Sequence, residues 1–387
     1  HSPISFRQML FGLCFLLVFS GMTLFLFSWR RDEKRFANIT NALFVNDMKS
    51  NTLNMHYTLA DPDAFGIHDY KPTLACYHAD LALRGRAETE NTLAALNALN
   101  PDKLSQADAW LWRLMTRSLE NTLALDSFPY YSDPLSPASG AQSRLPILLA
   151  EYTFRGKKDV EDYLALLDQT DDYFASLLTY EQEKAAAGCP VPGAFLKEAR
   201  KQCDTILTGE SLENGTHFLQ TTFQERLEKL LQEKLITAEE VSAYTAQNNR
   251  LLKTVLLPAY ISLGDGLLQL EDDSVLPYGL AALADGQRYY EQLLISETGS
   301  YRPVGEIQEM LTAQFGKEYD EIKKLARNHP ELAQSLTRDM TEDFPYKEAS
   351  QMLLDLQNRI AQDFPAIPGP SSNIAVKAVS PSLEAYC

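Results

Sequence analysis

Apolar residues recur every three to four positions along nearly the whole chain, and that period leaves room for little besides packed α-helices. Phe36, Ile39, Leu43, Phe44 and Met48 form one such stripe between residues 32 and 59. Trp110, Leu111, Leu114, Met115, Leu119 and Leu123 form another between 104 and 125. Val160, Tyr163, Leu164, Leu167, Phe174, Leu177 and Leu178 form a third between 159 and 180. Thr237 and Glu240 have the spacing of a capping box, in which a hydroxyl and a carboxylate satisfy free donors at a helix start. The helix beyond it meets Pro258, which should kink or restart it. Pro303 and Pro345 each suit the first turn of a helix, over 306–325 and 347–364.

Two stretches depart from this period. Residues 128–140, rich in Pro and Ser, read as a loop. Residues 365–382 hold closely spaced prolines and then the alternating run 374–379, which reads as an extended strand. The expected fold class is therefore all-α: a multi-helical array after an N-terminal transmembrane helix, with a short extended segment at the C-terminal end.

Residues 9–29 carry no charge and are about as long as a bilayer is thick. Arg7 precedes them, and Arg30, Arg31, Lys34 and Arg35 follow. No small-x-small cleavage site closes the run, so an uncleaved anchor to the lipid bilayer is expected. The visible basic residues favour a cytoplasmic C-terminal flank, although upstream residues could reverse that balance. The expected organisation is an anchor over 1–31 and a helical domain over 32–364. A loop and strand over 365–387 should then lead toward a catalytic region beyond this sequence, because a lone strand needs partners.

Over 387 residues the net charge is −17. That excludes a general nucleic-acid binder, which needs clustered Lys and Arg. Five cysteines leave the compartment open. Cys189 and Cys203 could close a short loop, but buried free thiols are commoner. The sequons at Asn38 and Asn214 rest on spacing alone.

Chemistry is sparse. No two of the six histidines stand three or four residues apart, so the helical zinc pair is absent and no metal ligand is assigned. His56, His68 and His78 could converge in space, or serve separately. The chain has no nucleophile elbow or phosphate loop, and Gly264-Asp265-Gly266 lacks the third glycine of a dinucleotide site. Asp171-Asp172 and Glu271-Asp272-Asp273 read as solvated surface, since adjacent helical residues point about 100° apart. The segment 276–294 is more suggestive. Gly286 is followed by Tyr289 and Tyr290, and tyrosine suits a binding wall because it joins apolar area to a hydroxyl. Packing of Tyr289 inward with Tyr290 at the core edge is the structural alternative.

At these residues a resemblance emerges. Thr52-Leu-Asn-Met-His-Tyr-Thr-Leu59, residues 142–152, 158–164 and 276–294, and Leu383-Glu-Ala-Tyr386 together resemble bacterial proteins of the "domain of unknown function 885" family. Each piece alone is weakly specific; their order and spacing are more so. The resemblance implies a gluzincin-like zinc metallopeptidase with a helical carboxypeptidase-type fold. It implies a peptide substrate, a position outside the cytoplasm, and a zinc motif, His-Glu-x-x-His with a distant Glu, lying downstream. No such motif stands in this chain, so no catalytic residue transfers and zinc is expected only in a longer protein. What remains is a helical wall of the substrate cleft that includes Gly286, Tyr289 and Tyr290. The competing expectation is a membrane-tethered helical binding protein without enzymatic activity.

Overall fold

The computed structural model describes residues 31–271, 279–331, 346 and 348–365. Among them are helices, turns and extended connections, and no strand. The anchor over 9–29, Pro345 and the strand over 374–379 lie outside the described residues. The chain divides into one unit ending at Ser300 and a second beginning at Tyr301.

The first unit opens with α1, residues 31–50, and α2, Thr52–Thr58. The sequence reads as one helix here. The structure breaks it at Asn51, whose backbone turns extended and whose side chain accepts the amide of Asn54 at 3.1 Å. Asparagine competes with helical backbone for such bonds and so favours caps. Next come α3 (Ala79–Asn97), α4 (Gln106–Leu125), α5 (Ala141–Glu151), α6 (Lys157–Leu167) and α7 (Thr170–Ala186). They are followed by α8 (Gly193–Ile206), α9 (Gly209–Glu213), α10 (Phe218–Gln232), α11 (Ala238–Leu251), α12 (Leu257–Leu270) and α13 (Gly286–Thr298). The capping box at Thr237 and Glu240 is formed in both directions, at 3.2 and 2.9 Å. The single helix read over 159–180 divides between α6 and α7, and its apolar stripe is buried except at half-buried Leu178.

The stripe read on α4 is only partly inward. Trp110 and Leu114 are exposed, whereas Trp112, Met115 and Leu119 pack on the cluster of Phe36, Leu96, Leu99 and Leu104. Trp112 sets this phase: its indole N–H donates to Leu96 O at 2.9 Å.

One helix among the described residues, Ala238–Leu270, is long and apolar enough to cross a membrane. It is the central helix of the unit: Leu251, Leu252, Leu256, Tyr260, Leu263 and Leu267 are fully buried in protein. The run continues through Pro258, and α-helical bonding restarts at Leu257 with the proline in the first turn of α12. A π-turn over Leu252–Leu256 precedes the proline, and a widened turn gives a place to a ring that cannot donate. Gly266 lets α12 press on α7, since a Cβ there would lie 2.3 Å from Leu178 Cδ2. Gly264-Asp265-Gly266 is thus a packing feature.

The short helix α5 depends on its neighbours. Pro146, inside it, has no N–H, so the buried carbonyl of Gln142 one turn earlier loses its helical partner. The Tyr260 hydroxyl of α12 donates to that carbonyl at 2.7 Å. At the other end the last carbonyls of any helix lack intrahelical partners. Tyr57 OH donates to Leu148 O at 2.6 Å, and Arg226 of α10 donates to Leu149 O at 3.0 Å and to Tyr152 O. The half-buried Arg226 guanidinium lies over the Phe154 ring at 4.4 Å and the Tyr163 ring at 5.3 Å.

The second unit contains α14 (Val304–Asn328) and α15 (Ala349–Asp363). Pro303 stands at the N-cap of α14, one position earlier than read. Leu311, Phe315, Ile322 and Leu325 are exposed along α14, and Phe315 stacks on Tyr319.

Tyr260→Phe should lower the unfolding free energy by about 1–3 kcal/mol, the cost of leaving a buried acceptor unpaired. Tyr244→Phe, whose hydroxyl meets exposed Glu161, should change it by under about 0.5 kcal/mol. Urea unfolding followed by circular dichroism checks both, and equal effects would contradict the role given to Tyr260.

Candidate functional site

A cleft of about 410 Å³ lies where the early segments of the chain meet α5 and α7. Arg144, Leu145 and Leu148 reach it from one face of α5, and Tyr173 reaches it from α7. Tyr77 comes from an extended connection, residues 67–78, and Asp133 from the Pro/Ser loop.

Among the described residues the extended connection has no strand partner, and one backbone bond and several side chains satisfy it instead. Thr52 N–H donates to Thr73 O and Thr73 N–H donates to the Thr52 hydroxyl, both at 2.9 Å. Gln169 brackets Leu74, donating to Pro72 O at 2.9 Å and accepting from Leu74 N–H at 3.4 Å. Tyr77 N–H donates to Ser176 Oγ at 3.0 Å. The Tyr77 ring then lies against Tyr173 and Tyr180, with centroids at 6.5 and 5.7 Å.

The Pro/Ser loop is held from α7. Tyr180 OH donates to Pro129 O and exchanges a hydrogen bond with Ser132, both at 2.8 Å. Buried Lys184 donates to Ser132 O at 2.8 Å and to Asp133. Glu181, equally buried, stands 4.0 Å from the Lys184 ammonium. Burial, opposed by Lys184 and reinforced by Asp133, pushes its carboxyl up to about 7.

Arg144 differs from these groups. Asp133 is engaged by Lys184, and among the described residues no carboxylate pairs with Arg144. It lines the cleft together with Tyr77 and Tyr173, where burial raises both hydroxyl pKa values and the Arg144 charge opposes that rise. An arginine beside two tyrosines on an apolar floor of Leu145 and Leu148 can bind an anion with an apolar body.

A smaller cavity of about 190 Å³ surrounds His56. The imidazole stacks on Tyr152 with centroids 3.5 Å apart. Its Nε2 accepts the Thr153 amide at 3.1 Å, which assigns the proton to Nδ1, facing Asp159 at 3.6 Å. Burial alone would raise the Asp159 carboxyl; bonds from His56 and the Arg155 amide outweigh it and hold the pKa low. His68 pairs with Asp63 and His78 with Asp172, so the three histidines do not converge.

Gly286, Tyr289 and Tyr290 line none of these cavities. Gly286 opens α13 where a Cβ would lie 1.6 Å from Leu280 O, which explains the glycine sterically. Tyr289 packs on Phe128 and Tyr131 at 5.5 and 5.0 Å, while Tyr290 is exposed. Tyr131 OH accepts the Asp285 amide at 3.0 Å. These residues therefore brace the loop that carries Asp133. Sequence reasoning did not single out Arg144, Tyr77 or Tyr173. Arg144 stands in the polar run Gln142-Ser143-Arg144 and offered no signal by pattern, and neither did the tyrosines.

The sequence matches the family described as "Bacterial protein of unknown function (DUF885)" over residues 63–384. The chain belongs to that family. A crystal structure from Colwellia psychrerythraea, provisionally described as a lipoprotein, is similar in fold, with a TM-score of 0.61 and 17% identity. The similarity covers 87% of this chain and 58% of that one, so this DUF885 chain spans little more than half of its neighbour's length. No curated protein matches the sequence.

Glu181 yields a pH test. Between its ordinary value of 4.5 and about 7 the folded chain keeps a proton that the unfolded chain has lost. Glu181 therefore subtracts stability progressively as pH rises across that window. Glu181→Gln should gain stability relative to wild type from pH 4.5 to 7 in unfolding titrations. A difference that stays constant, or moves the other way, would show that Lys184 keeps the carboxylate charged.

Proposed function

We propose that this chain is the helical, non-catalytic portion of a membrane-anchored metallopeptidase-like protein, and that the cleft under Arg144 receives peptide. The supporting observation is Arg144 itself, a cation without a carboxylate partner among the described residues. It shares the cleft with two tyrosines, Tyr77 and Tyr173, and with Leu145 and Leu148. A guanidinium so placed would take a peptide carboxylate by paired hydrogen bonds, while the tyrosines and leucines would hold the adjoining side chain. The walls come from segments that carry the family resemblance: Thr52 fixes the extended connection, and residues 142–152 supply Arg144.

In this reading residues 9–29 tether the protein and the helical units lie outside the cytoplasm. Gly286 and Tyr289 act on the cleft at one remove, by bracing the loop, and Tyr290 is the member of the pair open to a ligand. The zinc of such chemistry does not fit the histidines here. His-Glu-x-x-His is absent from the sequence, and the motif would belong to a longer protein.

Short apolar peptides with a free C-terminus should bind by calorimetry, and their C-terminal amides should bind about tenfold more weakly, as expected for one charge-assisted contact. Arg144→Gln should abolish that difference while leaving thermal unfolding unchanged. Equal affinity for acid and amide would refute the proposal.

A further inference from the structure

We propose that Cys76, His78 and Asp172 form a binding site for a zinc-class divalent ion at the rim of the cleft. The site is separate from any His-Glu-x-x-His motif, and it does not depend on peptide binding. It departs from the expectation, drawn from histidine spacing, that this chain holds no metal.

Geometry carries the inference. His78 Nε2 lies 3.4 Å from Asp172 Oδ2, and Cys76 Sγ lies 3.7 Å from the same oxygen. The three donor atoms all lie within 4.8 Å of one another. Ligands on a tetrahedral zinc, with bonds of roughly 2.0–2.3 Å, stand about 3.3–3.6 Å apart. Two edges of such a site thus nearly exist already, and the third closes with a small side-chain movement. Cys76 and His78 are half-buried and Asp172 is exposed, so an ion can reach them.

The backbone explains why the donors meet. Residues 76–78 belong to the extended connection, and His78 itself has extended backbone angles. Side chains two apart on extended chain share a side. Cys76 and His78 therefore face α7 together, while Tyr77 between them turns into the cleft. The bond from Tyr77 N–H to Ser176 Oγ sets this register, and Ser176 lies one turn after Asp172 on α7. Cys-x-His on an extended segment is thus opposed to Asp172, 94 residues away from His78 in sequence.

The donor set selects the ion. Thiolate and imidazole favour zinc or cobalt over calcium or magnesium, which prefer oxygen donors. Three protein ligands leave a fourth position for water. As the sulfur–metal bond forms, the Cys76 thiol gives its proton to solvent, so the site binds more weakly at acidic pH. The bound ion would fasten the connection to α7 and fix Tyr77 from behind.

Cobalt(II) is the probe, added to the full chain in detergent after chelator treatment. One equivalent should bind and produce the near-ultraviolet thiolate-to-cobalt absorption, and zinc should displace it. Cys76→Ser should abolish that absorption. His78→Gln and Asp172→Asn should each weaken binding by roughly tenfold or more. His68→Gln, at an exposed His–Asp pair elsewhere, should leave binding unchanged. Thermal unfolding of each metal-free variant shows whether it folds, and the mutually independent substitutions guard against loss of any one. Absence of the absorption in folded wild-type chain, or binding that survives all three substitutions, would overturn the proposal.

Discussion

The architecture of the first unit hangs on one missing hydrogen bond. Pro146 cannot donate to Gln142 O, and without a substitute the buried carbonyl would cost on the order of 1–3 kcal/mol. Tyr260 supplies the substitute from the middle of the central helix. An 11-residue helix is marginal in isolation, so α5 persists because other helices complete it. Tyr57 and Arg226 do at its C-terminal end what Tyr260 does near its start. The cleft follows from this clamp, because α5 is the element that presents Arg144, Leu145 and Leu148.

The other walls repeat the same logic with different groups. Neither the extended connection nor the Pro/Ser loop has backbone partners of the regular kind, yet each is held by side chains from the helices. Gln169 and Ser176 serve the first, and Tyr180 and Lys184 serve the second. Both sets of anchors sit in or beside α7, so α7 sets the spacing between the two walls. Burying Lys184 and Glu181 beneath the loop is costly, which is why the carboxyl of Glu181 holds its proton to higher pH than usual.

The helical period revealed most of the fold and little of the site. It marked α4, α6, α7, α11 and α12, and the cap at Thr237 was legible because its geometry is local. It did not fix the phase of α4, where Trp110 and Trp112 compete and a single bond to Leu96 O decides. It did not show that Asn51 ends a helix, nor that a π-turn would absorb Pro258. The cleft escaped for a different reason. Tyr77, Arg144 and Tyr173 come from three elements, and the connection bearing Tyr77 is ordered by Thr52 upstream and by residues about a hundred positions downstream. Gly286 drew notice by composition, but its immediate reason is the carbonyl of Leu280.

Native-state hydrogen exchange of the α5 amides, read residue by residue at increasing denaturant, tests the clamp most directly. If Tyr260, Tyr57 and Arg226 hold α5 as part of the core, its hydrogen-bonded amides should exchange only through global unfolding, with the same free energy as those of α12. Exchange through a local opening, at a free energy well below that of α12, would contradict it.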